Sequence, residues 1–243
     1  LDVTMGTGAF MQNLEDAIEL ARLMVSIGTA HGRKMAALIT DMDRPLGHNI
    51  GNSLEVQESM AVLQGKGPAD LTEVCLQLAT NMLLLAGKGD FKTCRAMAES
   101  VLNDGTAFTK CCQMFEAQGG DTTVLRDAAR FKKARYSRAI SARADGYITA
   151  HNVEDIGIAS VLLGAGRQTK EDSIDFAAGI TLHKKLGDAV HSGQTIATLC
   201  ADDPALFTAA EETFCRSLTI GAEKPQEPPL IYARVTPQGV ERF

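Results

Sequence analysis

Apolar positions in the first forty residues change period twice. Leu1-Asp2-Val3 ends a short strand, and Gly6-Thr7-Gly8-Ala9-Phe10-Met11 follows as a glycine-punctuated loop. Leu14, Ala17, Ile18, Ala21, Met24 and Val25 then recur at helical spacing, with Asn13 placed to cap, Asp16 as its capping-box partner and Gly28 to Gly32 ending the element. Met35 to Ile39 is an apolar run of strand length. Strand, helix, strand is a βαβ unit and predicts parallel pairing. A helix begins after Asn52, with Glu55 at the capping-box position, and closes at Gly65. Helical patterns follow at about 69–86, 91–103 and 106–117.

From about Tyr136 the texture becomes short strands separated by Gly-Asp and Ser-Gly turns: RAISARADGYITA, DSIDFAAGITL and QTIATLCA. Helices at about 153–163 and 204–217 interrupt them, and Leu230 to Val235 reads as a last strand. The fold class is therefore α/β. A parallel-sheet βαβ portion with several helices (1–133) precedes a β-rich α+β portion (134–243) carrying a barrel-sandwich-like hairpin.

Composition narrows the function classes. The 243 residues are 45% hydrophobic and 22% charged, an ordinary globular balance with room for a large core. A net charge of −6 offers no electrostatic footprint for nucleic acid, and no apolar run approaches a membrane span. Six cysteines without C-x-x-C pairing read as reduced thiols of a cytosolic chain. The start at Leu1, without Met, reads as the C-terminal part of a longer protein.

Candidate chemistry is sparse. Gly6-x-Gly8 fails as a dinucleotide fingerprint because Met11 occupies the third glycine position, and a tight βα turn is the simpler reading of the loop. Phe10 and Met11 stand at the carboxyl end of a strand, where α/β proteins place ligands, although on their own they read as core or staple residues sooner than as a base-binding wall. Asp41, Asp43 and His48 are acid–base candidates that loop capping explains as well. Glu58, one helical turn beyond Glu55 and near the Leu46–Asn49 loop, gives that loop's carbonyls a carboxylate partner for a hard cation. His31, His151, His183 and His191 fall in no nucleophile or zinc motif, and Lys184-Lys185 lacks the hairpin-tip setting of a lipoylated or biotinylated lysine.

Three segments together resemble one family along nearly the whole chain: LDVTMGTGAFM, ALITDMDRPLGHNIGNSLEVQESMAVLQGKGPADL and DGYITAHNVEDIGIASVLLGAGRQTKEDSIDFAAGITLHKKLGDAVHSGQTIATL. They are similar to the thymidine and pyrimidine-nucleoside phosphorylases. The resemblance implies reversible phosphorolysis of pyrimidine nucleosides to free base and (deoxy)ribose 1-phosphate, by a cytoplasmic homodimer using potassium and inorganic phosphate. It implies that Phe10, with Met11 adjacent, lines the pyrimidine pocket, and that Leu46, Asn49 and Glu58 hold a monovalent cation. It places the phosphate loop and the base-binding Arg, Ser and Lys upstream of Leu1, so no catalytic residue is assigned within the chain. Thr4 stands where the family usually has Lys. The competing expectations are a non-catalytic interaction module and a related phosphoribosyltransferase.

Overall fold

The computed structural model describes residues Leu1–Phe243. The chain opens with β1 (Asp2–Met5), α1 (Leu14–Ala30) and β2 (Ala37–Asp41). β1 and β2 pair in parallel, from Asp2 opposite Leu38 to Met5 opposite Asp41, as the βαβ pattern predicts. The Asn13 side chain accepts the Asp16 N–H at 3.0 Å and caps α1, which lays Ala17, Ile18, Ala21 and Val25 on the sheet. β2 starts two residues later than the apolar run, because Met35 packs over the end of α1 beside Gly28 instead of joining the strand.

Next come β3 (Asn49–Ile50) and α2 (Asn52–Leu63), then α3 (Ala69–Leu85), α4 (Phe91–Asn103), α5 (Thr106–Ala117) and the single turn α6 (Thr123–Arg126). The start of α2 corrects the expected capping box. Gly51, at φ +137°, is the N-cap, and Glu55 accepts its N–H at 3.0 Å. Asn52 lies inside the first turn and donates to the Ala165 carbonyl at 2.7 Å.

The remaining elements are β4 (Tyr136–Ser141), β5 (Gly146–His151), α7 (Val153–Leu162), β6 (Gly179–Leu182), β7 (Ala189–Val190), β8 (Thr195–Ala201), α8 (Phe207–Arg216), β9 (Leu218–Gly221), β10 (Ile231–Thr236) and β11 (Gly239–Arg242). Two open sheets, β3-β6-β8-β4 and β7-β5-β9, enclose a core of 17 buried residues with α7 and α8. No barrel closes. Of the segment DSIDFAAGITL only the last four residues extend as a strand. Upstream, the Asp172 carboxylate holds the Gln168 and Thr169 N–H groups and Asp175 N donates to the Gly164 carbonyl, which commits that backbone to turns.

The sequence pattern did not reveal β11, nor where β10 pairs. β10 lies antiparallel to β2 and completes a first sheet in the order β1-β2-β10-β11. A division of the chain at 133/134 thus assigns β10 and β11 to the second portion, while their hydrogen bonds and the burial of Ala233 and Val235 belong to the first core.

His151, at the end of β5, is 5% exposed, and neither ring nitrogen has a hydrogen-bond partner. Burial, and secondarily the charge of Lys185, push its pKa down to about 4. An unfolded histidine titrates near 6.5, so the unfolded chain binds the extra proton between those values. The neutral ring's contribution is complete above about pH 6.5 and is lost as pH falls towards 4, a swing on the order of 3 kcal/mol. His151→Met should flatten the dependence of unfolding free energy on pH across that window by about one proton's worth of slope. Urea titrations from pH 7 to 4 test this; an unchanged slope would show that His151 ionises freely in the folded chain.

Candidate functional site

Two loops meet at the carboxyl ends of β1 and β2, the side of a parallel sheet where α/β proteins bind ligands. The first, Gly6 to Gln12, is a closed turn. The N–H groups of Gly6, Gly8 and Ala9 donate to the carbonyls of Met11, Met42 and Gly6, and the Thr7 N–H donates to Asp43 Oδ1 at 2.7 Å. These four amides are spent on the turn and do not form an anion cradle. The Thr7 hydroxyl accepts the Val153 N–H at 3.1 Å, fastening the loop to the first turn of α7. A Cβ on Gly8 would lie 2.6 Å from the Val153 side chain, so that close approach requires glycine.

Between this loop and α7 lies an open cleft of about 680 Å³, lined by residues that include Thr4, Gln12, Phe10, Val153, Glu154 and Gly157. Phe10 presents its ring wholly to solvent, 100% exposed, so it packs in no core formed by these residues. Met11 behaves differently. It bridges to Met5 and packs against the first core, away from the cleft lining.

The second loop runs from Met42 to His48. Asp41, its side chain fully buried, pairs with Arg44 at 2.8 Å, and Arg44 donates to the Pro228 carbonyl at 2.6 Å. Burial pushes the Asp41 carboxyl up, against the opposing pull of the Asp43 N–H and Arg44. Neither Asp41 nor Asp43 is presented to the cleft as an acid or base. Asp41 anchors the loop, and Asp43 stitches it to the glycine turn. His48 spends its Nδ1 on the Leu182 carbonyl at 3.1 Å.

Beyond Gly47 the turn wraps the Glu58 carboxylate, which α2 delivers almost fully buried, at 7% exposure. Its oxygens accept the His48 N–H at 3.0 and 3.2 Å, the Asn49 N–H at 3.3 Å and the Asn49 side-chain amide at 3.1 Å. No lysine or arginine is among these partners. Leu182 N donates to His48 O at 2.7 Å, and Asn49 stands opposite Thr181. Hydrogen bonding alternates along an antiparallel pair, so the Asn49 backbone groups face away from β6, on the Glu58 side. The Leu46 carbonyl accepts no hydrogen bond. The structure therefore brings Asn49 and Glu58 into direct contact and leaves the Leu46 oxygen free nearby on the same turn. A buried carboxylate held by amides but by no cationic side chain, on a turn with free carbonyl oxygens, suits a hard cation, and the absence of His and Cys donors disfavours zinc. No group of three or more His, Cys, Asp or Glu side chains in the chain is placed to hold a metal ion by itself.

Sequence reasoning gave no role at these loops to Thr7, Glu154 or Asp70, and weighed Lys185 only as a modified-lysine candidate. Asp70 lies in the first turn of α3, and its contact with Lys185 spans 115 residues, with no local pattern to betray it.

Gly47 sits at φ +73°, and a Cβ there would lie 2.3 Å from Glu58 Oε2. Gly47→Ala combines left-handed strain with displacement of the carboxylate, and should cost about 1–3 kcal/mol of unfolding free energy. Denaturant melts measure it; a loss within about 0.5 kcal/mol, the scatter of a neutral surface change, would show that the turn yields freely.

Residues 1–108 match the family described as glycosyl transferase family, a/b domain, and residues 147–221 match the pyrimidine nucleoside phosphorylase C-terminal domain. A curated pyrimidine-nucleoside phosphorylase of Geobacillus stearothermophilus is 40% identical over 237 residues, 97% of this chain and 54% of that protein. One from Staphylococcus aureus strain USA300 is 47% identical over 200 residues, 82% of this chain and 46% of that protein. The chain spans about half the length of these relatives. With both family matches and identity of this extent, the chain belongs to the pyrimidine-nucleoside phosphorylase family.

Proposed function

We propose that this chain supplies the base-facing and cation-holding part of an enzyme that cleaves pyrimidine nucleosides with inorganic phosphate. The observation that carries the proposal is the cleft between the Gly6–Gln12 loop and α7, with the Phe10 ring free at its edge. In the reaction, phosphate oxygen forms a bond to C1′ as the glycosidic C–N bond breaks. The sugar passes through an oxocarbenium-like state and negative charge grows on the departing pyrimidine. Phe10 offers that base an apolar face. The glycine-loop amides are already paired, so the donors for phosphate and for the leaving base come from outside these residues.

The same proposal includes the cation. Leu46 O, Asn49 O and the Glu58 carboxylate would hold potassium, whose positive charge would favour binding of an anionic co-substrate. Without the ion, the loop amides alone offset the Glu58 charge. A cytoplasmic homodimer is the assembly this reading takes; no helix is long and apolar enough to cross a membrane.

The isolated 243-residue chain should release no base from thymidine or uridine above a no-enzyme control, since losing even one transition-state donor typically costs about 10²–10³ in rate. Exchanged for the matching segment of the Geobacillus relative, it should restore phosphate-dependent cleavage of both. A cooperatively folded chimera without that activity would overturn the proposal, and turnover by the isolated chain would overturn the assignment of the donors elsewhere.

Within the active chimera, Phe10→Ala should raise the KM for nucleoside but leave that for phosphate unchanged, since stacking on an aromatic ring is worth roughly 1–3 kcal/mol per base. Because the ring is fully exposed, the melting temperature should not fall. A large drop in stability with unaltered nucleoside KM would contradict the pocket role.

A further inference from the structure

Two carboxylates hold the Leu46–Asn49 turn, and only Glu58 belongs to the oxygen set above. The other is Asp70, in the first turn of α3. Its Oδ2 accepts the Gly47 N–H at 3.2 Å and also the Lys185 ammonium, while its Oδ1 accepts the Leu71 N–H at 2.9 Å. Lys185 comes from the connection between β6 and β7, and its side chain is 16% exposed against 21% for Asp70. Burial alone would raise the Asp70 pKa. The hydrogen bond and charge of Lys185, with the Leu71 and Gly47 amides, outweigh burial and hold the carboxyl below the usual range.

Peptide geometry gives this contact a consequence for the cation turn. In a trans peptide the C=O of one residue and the N–H of the next are coplanar and point in opposite directions. The Leu46 carbonyl and the Gly47 N–H form such a unit, and no cis bond occurs in the chain. A carboxylate that fixes the Gly47 N–H on one side therefore turns the Leu46 oxygen out on the other. The Asn49 carbonyl obeys the same rule through Ile50, whose N–H faces its partner Ile180 on β6. Strand β6 orients one proposed ligand directly, and the residue three positions beyond its end orients the other through Asp70.

We infer that the Lys185–Asp70 ion pair is a positioning device for the Leu46 carbonyl, so that the β6–β7 connection sets the monovalent-cation affinity of the turn. Lys185 is not a ligand. Its role is to keep Asp70 charged and aimed at Gly47, and Asp70 in turn neutralises the ammonium beside a site meant for a cation. This rests on the proposed cation site, and the test separates the two.

The test is thallium(I) binding to the 243-residue chain by thallium NMR with potassium as competitor, alongside amide hydrogen exchange at Gly47 without the ion. Lys185→Met should weaken thallium binding about tenfold, the size expected for loss of a charge-assisted contact, and should speed exchange at Gly47. Lys185→Arg should restore both. If Lys185→Met does not fold, Lys185→Gln should show the same direction with a smaller loss. Glu58→Gln should abolish potassium-competed binding and leave Gly47 exchange protected. If Glu58→Gln abolishes binding while neutral replacement of Lys185 changes neither readout, or changes only exchange, the positioning inference fails and the cation site stands. No potassium-competed binding in the wild type, or undiminished binding in Glu58→Gln, removes the site and the inference together.

Discussion

A carboxylate buried without a cationic side chain is the constraint around which the centre of this molecule is organised. Moving such a charge out of water is costly unless donors surround it. Glu58 gathers those donors from one turn, the His48 and Asn49 backbone and the Asn49 side chain. Gathering them forces the backbone close enough that only glycine fits at position 47. The Asn49 side chain also accepts the Thr181 hydroxyl at 2.7 Å, so the chain of hydrogen bonds starting at Glu58 ends in the second sheet. One acidic residue on α2 thus ties together the turn after β2, strand β3 and strand β6.

The two site loops are coupled by a second carboxylate. Asp43 reaches from the loop after β2 to the Thr7 amide in the loop after β1, and Thr7 reaches on to the N-terminus of α7. The cleft wall that carries Phe10 and the turn that carries Leu46 and Asn49 are consequently parts of one hydrogen-bonded frame. The proposed base-facing and cation sites therefore share supports, through Asp43 and Thr7. Both loops follow parallel strands at their carboxyl ends, which is why the proposed sites lie there and not at the apolar groove among α2, α3, α4 and α5.

Much of this was legible in the chain where the physics is local. Asn13 with Asp16 gave the start of α1, and the Gly and Asn punctuation gave α4 and α5 to the residue. The resemblance drew attention to Leu46, Asn49 and Glu58, and spacing alone had already put Glu58 beside that loop. What stayed hidden is non-local. Strand β11 carries Gly239, Val240, Glu241 and Arg242, too polar to announce a strand, and it exists because β10 offers it an edge. The N-cap of α2 moved to Gly51 because that residue crosses close to Ala178 and Gly179, a contact 127 residues away. Phe10 on its own read as a core residue, since an aromatic residue after a strand usually packs; its complete exposure shows that it does not pack within this chain. The contacts of Asp70 with Lys185 and of Thr7 with Val153 have no sequence signature at all.

The most direct measurement is anomalous diffraction from crystals of the chain grown with rubidium, a potassium surrogate whose position is read without reference to activity. The account predicts an anomalous peak in contact with the carbonyl oxygens of Leu46 and Asn49 and the carboxylate of Glu58, and its loss in Glu58→Gln crystals. Well-ordered density for the turn with no rubidium peak there would contradict it, and would leave Glu58 as a clasp for its own loop.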